Sequence, residues 1–337
     1  MGLFFFGKKL NSKKKITLTG LLSSVKKLFL SLFLNIRTST TSLFRKLKKL
    51  EETNYKLGIF FYNAGKIDDA ILRFKILKLF GKKYKAECSY YIGRCYIILL
   101  KYAKAKKDLF LDIEIKNPDM REELMYCRNL LEDKFIQYIP HNILEHKFDI
   151  ISESYDALCS SAITYDIIAK KIDEYSKTIG LFSVLDIGCG TGILAKRCTN
   201  IKVSFSGVDI SRKMIKVSET TGCYKTLSHA EAGSFVNNAL SNNALYGIIL
   251  LLDFFTYNPQ LLPIFALNMR NLLLDNGILI ISYKVAKDNE IEFIKELEEF
   301  RYNTDYIKKI FSQYTLIHEE EISLLNSQNS RLMIYCN

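Results

Sequence analysis

The chain has no tryptophan, and only eight of its 337 residues are cysteine. A small disulfide scaffold is therefore excluded, because such chains carry roughly one Cys in ten. Cys88, Cys95, Cys127, Cys159, Cys189, Cys198, Cys223 and Cys336 contain no C-x-x-C pair. The four histidines, His141, His146, His229 and His318, do not cluster with them. No metal site is expected. Scattered thiols of this kind fit a reducing compartment, where they serve as small buried hydrophobes, and a cytoplasmic location is expected. Acidic residues are missing from residues 1–50, which hold twelve Lys or Arg. Residues 51–337 carry 36 basic and 36 acidic side chains, so the net charge of +12 belongs to the first fifty residues alone. The remainder has no basic bias, and no nucleic-acid partner is expected.

That basic arm contains TLTGLLSSVKKLFLSLFLNI at residues 17–36. Leu21, Leu22, Val25, Leu28, Phe29, Leu32, Phe33 and Ile36 recur at helical spacing, with Ser23, Ser24, Lys26, Lys27 and Ser31 largely opposite. Its longest stretch without charge, Leu28–Ile36, is too short to cross a bilayer, which needs about twenty residues. Lys26 and Lys27 interrupt any secretory signal. Three readings stay open. The arm lies as an amphipathic helix on an anionic membrane, peripheral to it; or it is a basic extension packed on the next domain; or it is an organelle presequence.

At 48% hydrophobic and 25% charged residues the chain is globular in composition, and its length suggests two or three domains. Residues 53–118 contain an internal match. Leu57-Gly58, Phe61, Ala70 and Phe74 have counterparts 35 residues later in Ile92-Gly93, Tyr96, Ala105 and Leu109. Asn117-Pro118 suits the start of a further helix, and residues 119–137 read as a capping helix or a degenerate third repeat. The pattern resembles the tetratricopeptide repeat, in which small residues let two antiparallel helices approach. As function it implies a surface for a protein partner; as plain structure, a helical extension. With two repeats and a cap, it is expected to depend on its neighbour for stability.

The chemistry-bearing segment begins at Phe182. An apolar run through Ile187 reads as a buried strand, Gly188-Cys189-Gly190-Thr191-Gly192 follows, and Ile193–Arg197 begins a helix. Strand, glycine turn and helix open a doubly wound α/β domain. A nicotinamide fingerprint would need a third glycine at position 193, which is Ile193. A second run ends in Asp209, where a carboxylate accepts hydrogen bonds from both hydroxyls of a ribose. Ser211 suits a helix cap. A third segment reaches Glu231, a fourth ends in Asp253, and a fifth covers Gly277–Tyr283 after an Asp275-Asn276-Gly277 turn. Residues 288–310 read as a helix, and Thr315–Leu325 with Arg331–Cys336 as an antiparallel pair.

VLDIGCGTG at Val184–Gly192 and GVDIS at Gly207–Ser211 resemble the first two motifs of class I S-adenosylmethionine-dependent methyltransferases. FDIISESYDAL at Phe148–Leu158, with Tyr165, resembles the segment preceding that loop in bacterial methyltransferases with N-terminal tetratricopeptide repeats. The resemblance covers about residues 145–337. It implies a Rossmann-like seven-stranded α/β methyltransferase domain at 145–337, an all-α tetratricopeptide-like domain at 51–140 and the basic arm at 1–50. It further implies S-adenosylmethionine as cofactor. Gly188, Gly190 and Gly192 would form the turn, with Asp186 and the turn amides at the methionine portion. Asp209 would take the ribose, Glu231 the adenine amino group, and Tyr155 would cover the cofactor. Asp253 and Tyr257 are the catalytic candidates, with His229 as a third. The plain alternatives are a helix cap at Asp209, a loop acid at Glu231, a strand-end cap at Asp253 and core packing at Tyr155. Two departures stand out: Asn276-Gly277-Ile278 replaces the common Pro-Gly-Gly, and Arg301–Tyr306 lacks a His. A non-catalytic scaffold that binds a protein through its repeats is the competing function.

Overall fold

The computed structural model describes residues 40–81, 83–159, 162–179, 183–198, 203–324 and 327–337. The amphipathic run at 17–36 lies outside the described residues. The chain divides into two compact units, Met1–Asn54 and Tyr55–Asn337. Among the described residues no helix is long and apolar enough to cross a membrane.

Among the described residues five helices come first: α1 (Thr40–Asn63), α2 (Ile67–Phe80), α3 (Lys85–Ile98), α4 (Tyr102–Leu109) and α5 (Pro118–Leu131). The 35-residue match has a steric basis. A Cβ at Gly58 would come within 2.6 Å of the Phe74 ring, and one at Gly93 within 2.2 Å of Leu109. Each glycine thus makes room for the large residue of the following helix, and Ala70 and Ala105 are fully buried beside them. α5 starts as expected: the Asn117 side chain accepts from the Met120 amide at 3.0 Å, and Pro118 fills the first turn. It stops at Leu131, and Asp133 at positive φ turns the chain away.

Three helices, α6 (His141–Ile151), α7 (Tyr155–Leu158) and α8 (Ala162–Ile179), lead into the sheet. Strands β1 (Ser183–Ile187), β2 (Ser204–Asp209), β3 (Tyr224–His229), β4 (Tyr246–Leu252) and β5 (Leu273–Lys284) pair in parallel. Helices α9 (Arg212–Glu219), α10 (Ala232–Ser241) and α11 (Leu261–Leu272) fall between them. Two further strands, β6 (Ile291–Ile294) and β7 (Glu299–Tyr302), form a separate hairpin before α12 (Thr304–Ile310). The chain closes with the antiparallel pair β8 (Thr315–Leu324) and β9 (Ser327–Cys336). The main sheet has the order β3-β2-β1-β4-β5-β9-β8. Its direction of growth reverses between β1 and β4, so a crevice opens there beyond the strand ends.

Two local expectations fail. The glycine turn leads only into a single 3-10 turn, Ala195–Cys198, rather than the expected helix. Residues 288–310 are not one helix. The run IEFIKELEEFRY is rich in helix formers, but its apolar residues alternate at Ile291 and Phe293, then at Phe300 and Tyr302. The hairpin joins Phe293 to Phe300, with ring centroids 4.8 Å apart. Burial of that face overrides the propensity of its Glu and Lys residues.

The hairpin turn carries charge into the helical layer. Arg94 on α3 is 2% exposed and grips Glu298 with two hydrogen bonds of 2.7 and 3.0 Å. Tyr126 on α5 donates a third at 3.0 Å. Burial works to raise the Glu298 pKa, but Arg94 and Tyr126 outweigh it and hold the carboxyl below its ordinary range. Beside it Lys284 on β5 pairs with Glu299, which Arg301 also contacts at 3.0 Å.

Removing one partner of a buried pair strands the other charge, which typically costs about 3–5 kcal/mol. Glu298→Ala should lower stability by that order in urea unfolding, and Arg94→Met with Glu298→Met together should recover most of it. The same reasoning predicts that a fragment of residues 51–140, which lacks Glu298, does not melt cooperatively. A cooperative fragment, or a mild Glu298→Ala phenotype, would remove the hairpin from this role.

Candidate active site

The crevice between β1 and β4 holds a cleft of about 880 Å³, open mouth included. Its floor is the glycine turn. Gly188, Gly190 and Gly192 all have positive φ, at 78°, 54° and 76°, a region that costs residues with a Cβ about 1–2 kcal/mol. A Cβ at Gly188 or Gly190 would find its nearest neighbours only at 3.5 and 3.8 Å, across the cleft, at Phe254 and Tyr155. Space above these two glycines is therefore open to a ligand. Gly192 differs, since a Cβ there would strike Ser218 and Tyr224 at 2.9 and 3.0 Å. Its smallness serves packing of the turn onto α9 and β3.

Two carboxylates stand at adjacent strand ends. Asp209 ends β2. Its Oδ2 accepts from the Gly190 amide at 2.9 Å and its Oδ1 from the Ser211 amide at 2.8 Å. One carboxylate thus ties the first motif to the second and keeps lone pairs free for the cleft. Burial pushes its pKa up to about 6 despite those two amides. Asp186 in β1 accepts from the Tyr224 hydroxyl at 2.7 Å. Burial raises its pKa to about 7, the Tyr224 hydrogen bond opposes this, and Asp209 adds to it. Asp186 is 4% exposed and does not line the cleft itself.

Glu231 lines the cleft and also caps α10, its two oxygens accepting from the Gly233 and Ser234 amides at 2.8 and 2.7 Å. Burial works to raise its pKa, and the capping amides prevail, leaving the carboxyl below its ordinary value. Ser211 caps α9 as the sequence suggested, accepting from the Met214 amide at 3.1 Å. Asp253 follows β4 in a left-handed conformation, φ 50°. Its Oδ1 accepts from the Ser282 hydroxyl at 3.3 Å, while Oδ2 is sealed from solvent and has no hydrogen-bond partner. Burial raises the Asp253 pKa, and Lys284 opposes the rise. Tyr257 closes the 3-10 turn Phe254–Tyr257 and presents its ring edge-on to Phe148, 5.2 Å away. Burial pushes its phenol far upward. His229 stands outside the cleft lining, with Nε2 3.0 Å from the Ile210 carbonyl.

The roof comes from the segment before β1. Leu144 and Phe148 of α6 and Tyr155 of α7 line the cleft. Neighbouring residues that sequence reasoning passed over hold this roof down. Asp156 accepts from the Thr191 hydroxyl in the glycine turn and pairs with Lys196 at 2.7 Å. Asp149 accepts from Ser211 Oγ at 2.6 Å and from the Lys213 amide at 3.1 Å. Both lie inside the FDIISESYDAL stretch, so its acid spacing was the available signal. Tyr165 is buried behind the roof, its hydroxyl 3.7 Å from Cys159 Sγ, and does not reach the cleft.

Residues 103–318 match the model of a family described as a methyltransferase domain. The chain belongs to this methyltransferase domain family. No curated protein matches the chain. Similar solved structures include the N-methyltransferase NodS from Bradyrhizobium japonicum WM9 with S-adenosyl-L-homocysteine. It is 13% identical, with 50% of this chain and 85% of that chain covered, at a TM-score of 0.39. The magnesium protoporphyrin IX methyltransferase from Synechocystis PCC 6803, also with that ligand, is 14% identical over 74% of this chain and 99% of its own, at 0.41. TehB from Haemophilus influenzae is 16% identical, covering 56% and 66%, at 0.39. The methyl donor expected of such a domain is S-adenosylmethionine. The residues fit it: open space over Gly188 and Gly190, a carboxylate at the end of β2 with acceptor capacity to spare, and an unpartnered Asp253 oxygen.

The raised carboxyls make ligand-free stability depend on pH. Both folded-state pKa values stand above the unfolded ones, so the folded state binds these protons more tightly. The stabilising contribution is complete below about pH 4 and is lost as pH rises through about 6 for Asp209 and about 7 for Asp186. Calorimetric melting temperatures should therefore fall between pH 5 and 7.5, and Asp186→Asn should flatten that fall. An unchanged slope in the variant would contradict the elevated Asp186 pKa.

Proposed function

We propose that the chain transfers the methyl group of S-adenosylmethionine to an acceptor admitted beside Asp253. The observation that carries this reading is the double tie of Asp209 to Gly190 and Ser211, which sets a carboxylate at the end of β2 facing the cleft. In this reading Asp209 accepts the ribose hydroxyls and Glu231 meets the adenine amino group through lone pairs that the α10 cap leaves free. Asp186 stabilises the methionine ammonium from beneath the glycine turn. Tyr155 covers the cofactor, and the Leu144 and Phe148 side chains exclude water.

The cofactor supplies an electrophilic methyl on a positively charged sulfur. What the chain adds is placement of the acceptor and removal of its proton. Placement is the larger effect in principle, since pre-oriented reactants gain up to about 7–11 kcal/mol. Asp253 is the residue proposed to hold the proton. Its Oδ2 has no internal donor and is closed to solvent in the empty protein, so it becomes a base only for an acceptor seated against it, and burial raises its pKa. Tyr257 serves as a wall and hydrogen-bond donor.

Two further elements extend the proposal. The helices α1–α5 act as a tetratricopeptide-like surface for a protein partner, supported by the repeated glycine-to-large-residue packing at Gly58 and Gly93. Residues 1–50 rest on an anionic membrane, supported by twelve basic and no acidic residues beside an amphipathic run.

S-Adenosylmethionine and S-adenosylhomocysteine should bind with micromolar affinity, and NAD should not bind measurably. Asp209→Ala should weaken binding by about 1.5–3 kcal/mol through loss of charge-assisted hydrogen bonds. Because a cationic ligand favours ionised Asp186, binding near pH 6.5 should release protons. Titration calorimetry in buffers of different ionisation enthalpy measures that release, and Asp186→Asn should abolish its share. Undiminished affinity in folded Asp209→Ala would sink the ribose assignment.

Membrane association has its own test in vesicle flotation. Anionic vesicles should carry the protein, high salt should weaken but not erase the binding, and neutral vesicles should bind poorly. Deleting residues 2–39, which leaves α1 whole, should abolish flotation while cofactor affinity stays unchanged. A full-length protein that ignores anionic vesicles would leave the presequence or packed-extension reading of the arm.

A further inference from the structure

α6 carries two carboxylates: Glu145 pairs with His229 at 3.4 Å, and Asp149 reaches the second motif directly. Its Oδ1 accepts from Ser211 Oγ at 2.6 Å and from the Lys213 amide at 3.1 Å. Ser211 Oγ in turn accepts from the Met214 amide, and the Ser211 amide donates to Asp209 Oδ1 at 2.8 Å. The other Asp209 oxygen is held by Gly190. A continuous chain of hydrogen bonds therefore runs from the roof helix, through Ser211, to Asp209 and the glycine turn.

The same helix is fixed from its other side. His146 stacks on Tyr62 of α1 with centroids 3.7 Å apart, and its Nε2 lies 3.0 Å from the Tyr62 carbonyl. Lys213, whose amide Asp149 holds, donates through Nζ to the Asn63 carbonyl at 3.2 Å. α6 also supplies Leu144 and Phe148 to the cleft. Its seat thus decides two things at once: where the apolar roof lies, and how the turn between β2 and α9 is held.

We infer that Asp149 is a positioning residue that aims Asp209 at the cofactor ribose and makes that aim depend on a seated α6. The inference rests on the ribose role of Asp209 proposed above. Asp149 touches no ligand in this account. It acts by fixing the Ser211 hydroxyl and the first turn of α9, so that the Ser211 amide presents one oxygen of Asp209 to the turn and leaves its remaining lone pairs on the cleft side. Without Asp149, the Ser211 hydroxyl is free to rotate and α6 loses its tie to the second motif.

The test measures S-adenosylhomocysteine and its 2′,3′-dideoxyribose analogue on three proteins by calorimetry. For wild type against Asp149→Ala, the loss of one charge-assisted pair of hydrogen bonds should weaken S-adenosylhomocysteine roughly tenfold. Asp149→Asn keeps an acceptor oxygen for Ser211 and Lys213 and should recover most of the affinity. The dideoxy analogue cannot use Asp209, so it should bind wild type and Asp149→Ala alike. A general loosening of the roof would instead weaken both ligands by the same factor, and that outcome, or an unchanged S-adenosylhomocysteine affinity, overturns the inference. Should Asp149→Ala not fold, Ser211→Ala cuts the same chain and is read in the same way. Failure of wild type to bind S-adenosylhomocysteine would strike the ribose reading itself, a separate result from an insensitive Asp149.

Discussion

The buried pair of Arg94 and Glu298 sets the terms for the rest of the molecule. A guanidinium 2% exposed to solvent needs an anionic partner, and Glu298 supplies two hydrogen bonds from another layer of the fold. The β6–β7 hairpin has to stand where Glu298 can reach. That hairpin also carries Glu299 to Lys284 and Tyr302 to the Phe255 carbonyl, at 2.6 Å for the latter. Phe255 belongs to the 3-10 turn that forms one wall of the cleft. The helical module and the cleft wall are thus held by one insertion, whose charges are too deeply placed to be loosened cheaply.

Charge is handled differently at the cleft. Asp186 and Asp209 are buried with hydrogen bonds but no cationic partner, and both pKa values are raised. A site with unneutralised carboxylates is costly in the empty protein and favourable once a cation enters. This follows from low effective dielectric, which strengthens an attraction as it strengthens a desolvation penalty. A ligand bearing an ammonium and a sulfonium suits such a site better than an anionic dinucleotide does. The glycine spacing and the electrostatics therefore discriminate against the nicotinamide reading independently.

What was legible in the sequence were features with one physical solution. Gly188 and Gly190 sit between a buried strand and an open cleft, and their positive φ values leave few residue types available. Asp209 falls at a strand end because β2 is short and bounded by the Ser211 cap. The Gly58 and Gly93 pairing was visible because steric demand recurs at a fixed spacing. The hairpin at 291–302 was not legible. Its Glu and Lys residues favour a helix locally, and their partners Arg94, Lys284 and Asp133 come from distant segments. The shortened turn after Gly192 was hidden for a related reason: Ile193 and Leu194 are core residues, buried without needing a helix to present them. Glu231 was legible as a position but only half legible as a role, since one carboxylate both faces the cleft and caps α10.

The roof completes the logic. α6 is held to α1 by the stacked His146 and Tyr62, and to the second motif by Asp149. α7 is held to the glycine turn by Asp156. Burial pushes the His146 pKa down to about 4, so the ring is neutral at physiological pH and its stacking carries no charge to desolvate. Each roof element therefore has a polar tie to a part that binds ligand and an apolar face over the cleft. A partner that shifts α1 would move His146 and with it α6, and the effect would arrive at Asp209 through Ser211. The helices placed before the methyltransferase domain are, on this geometry, tied through α6 to Asp209 without contributing a residue to the cleft.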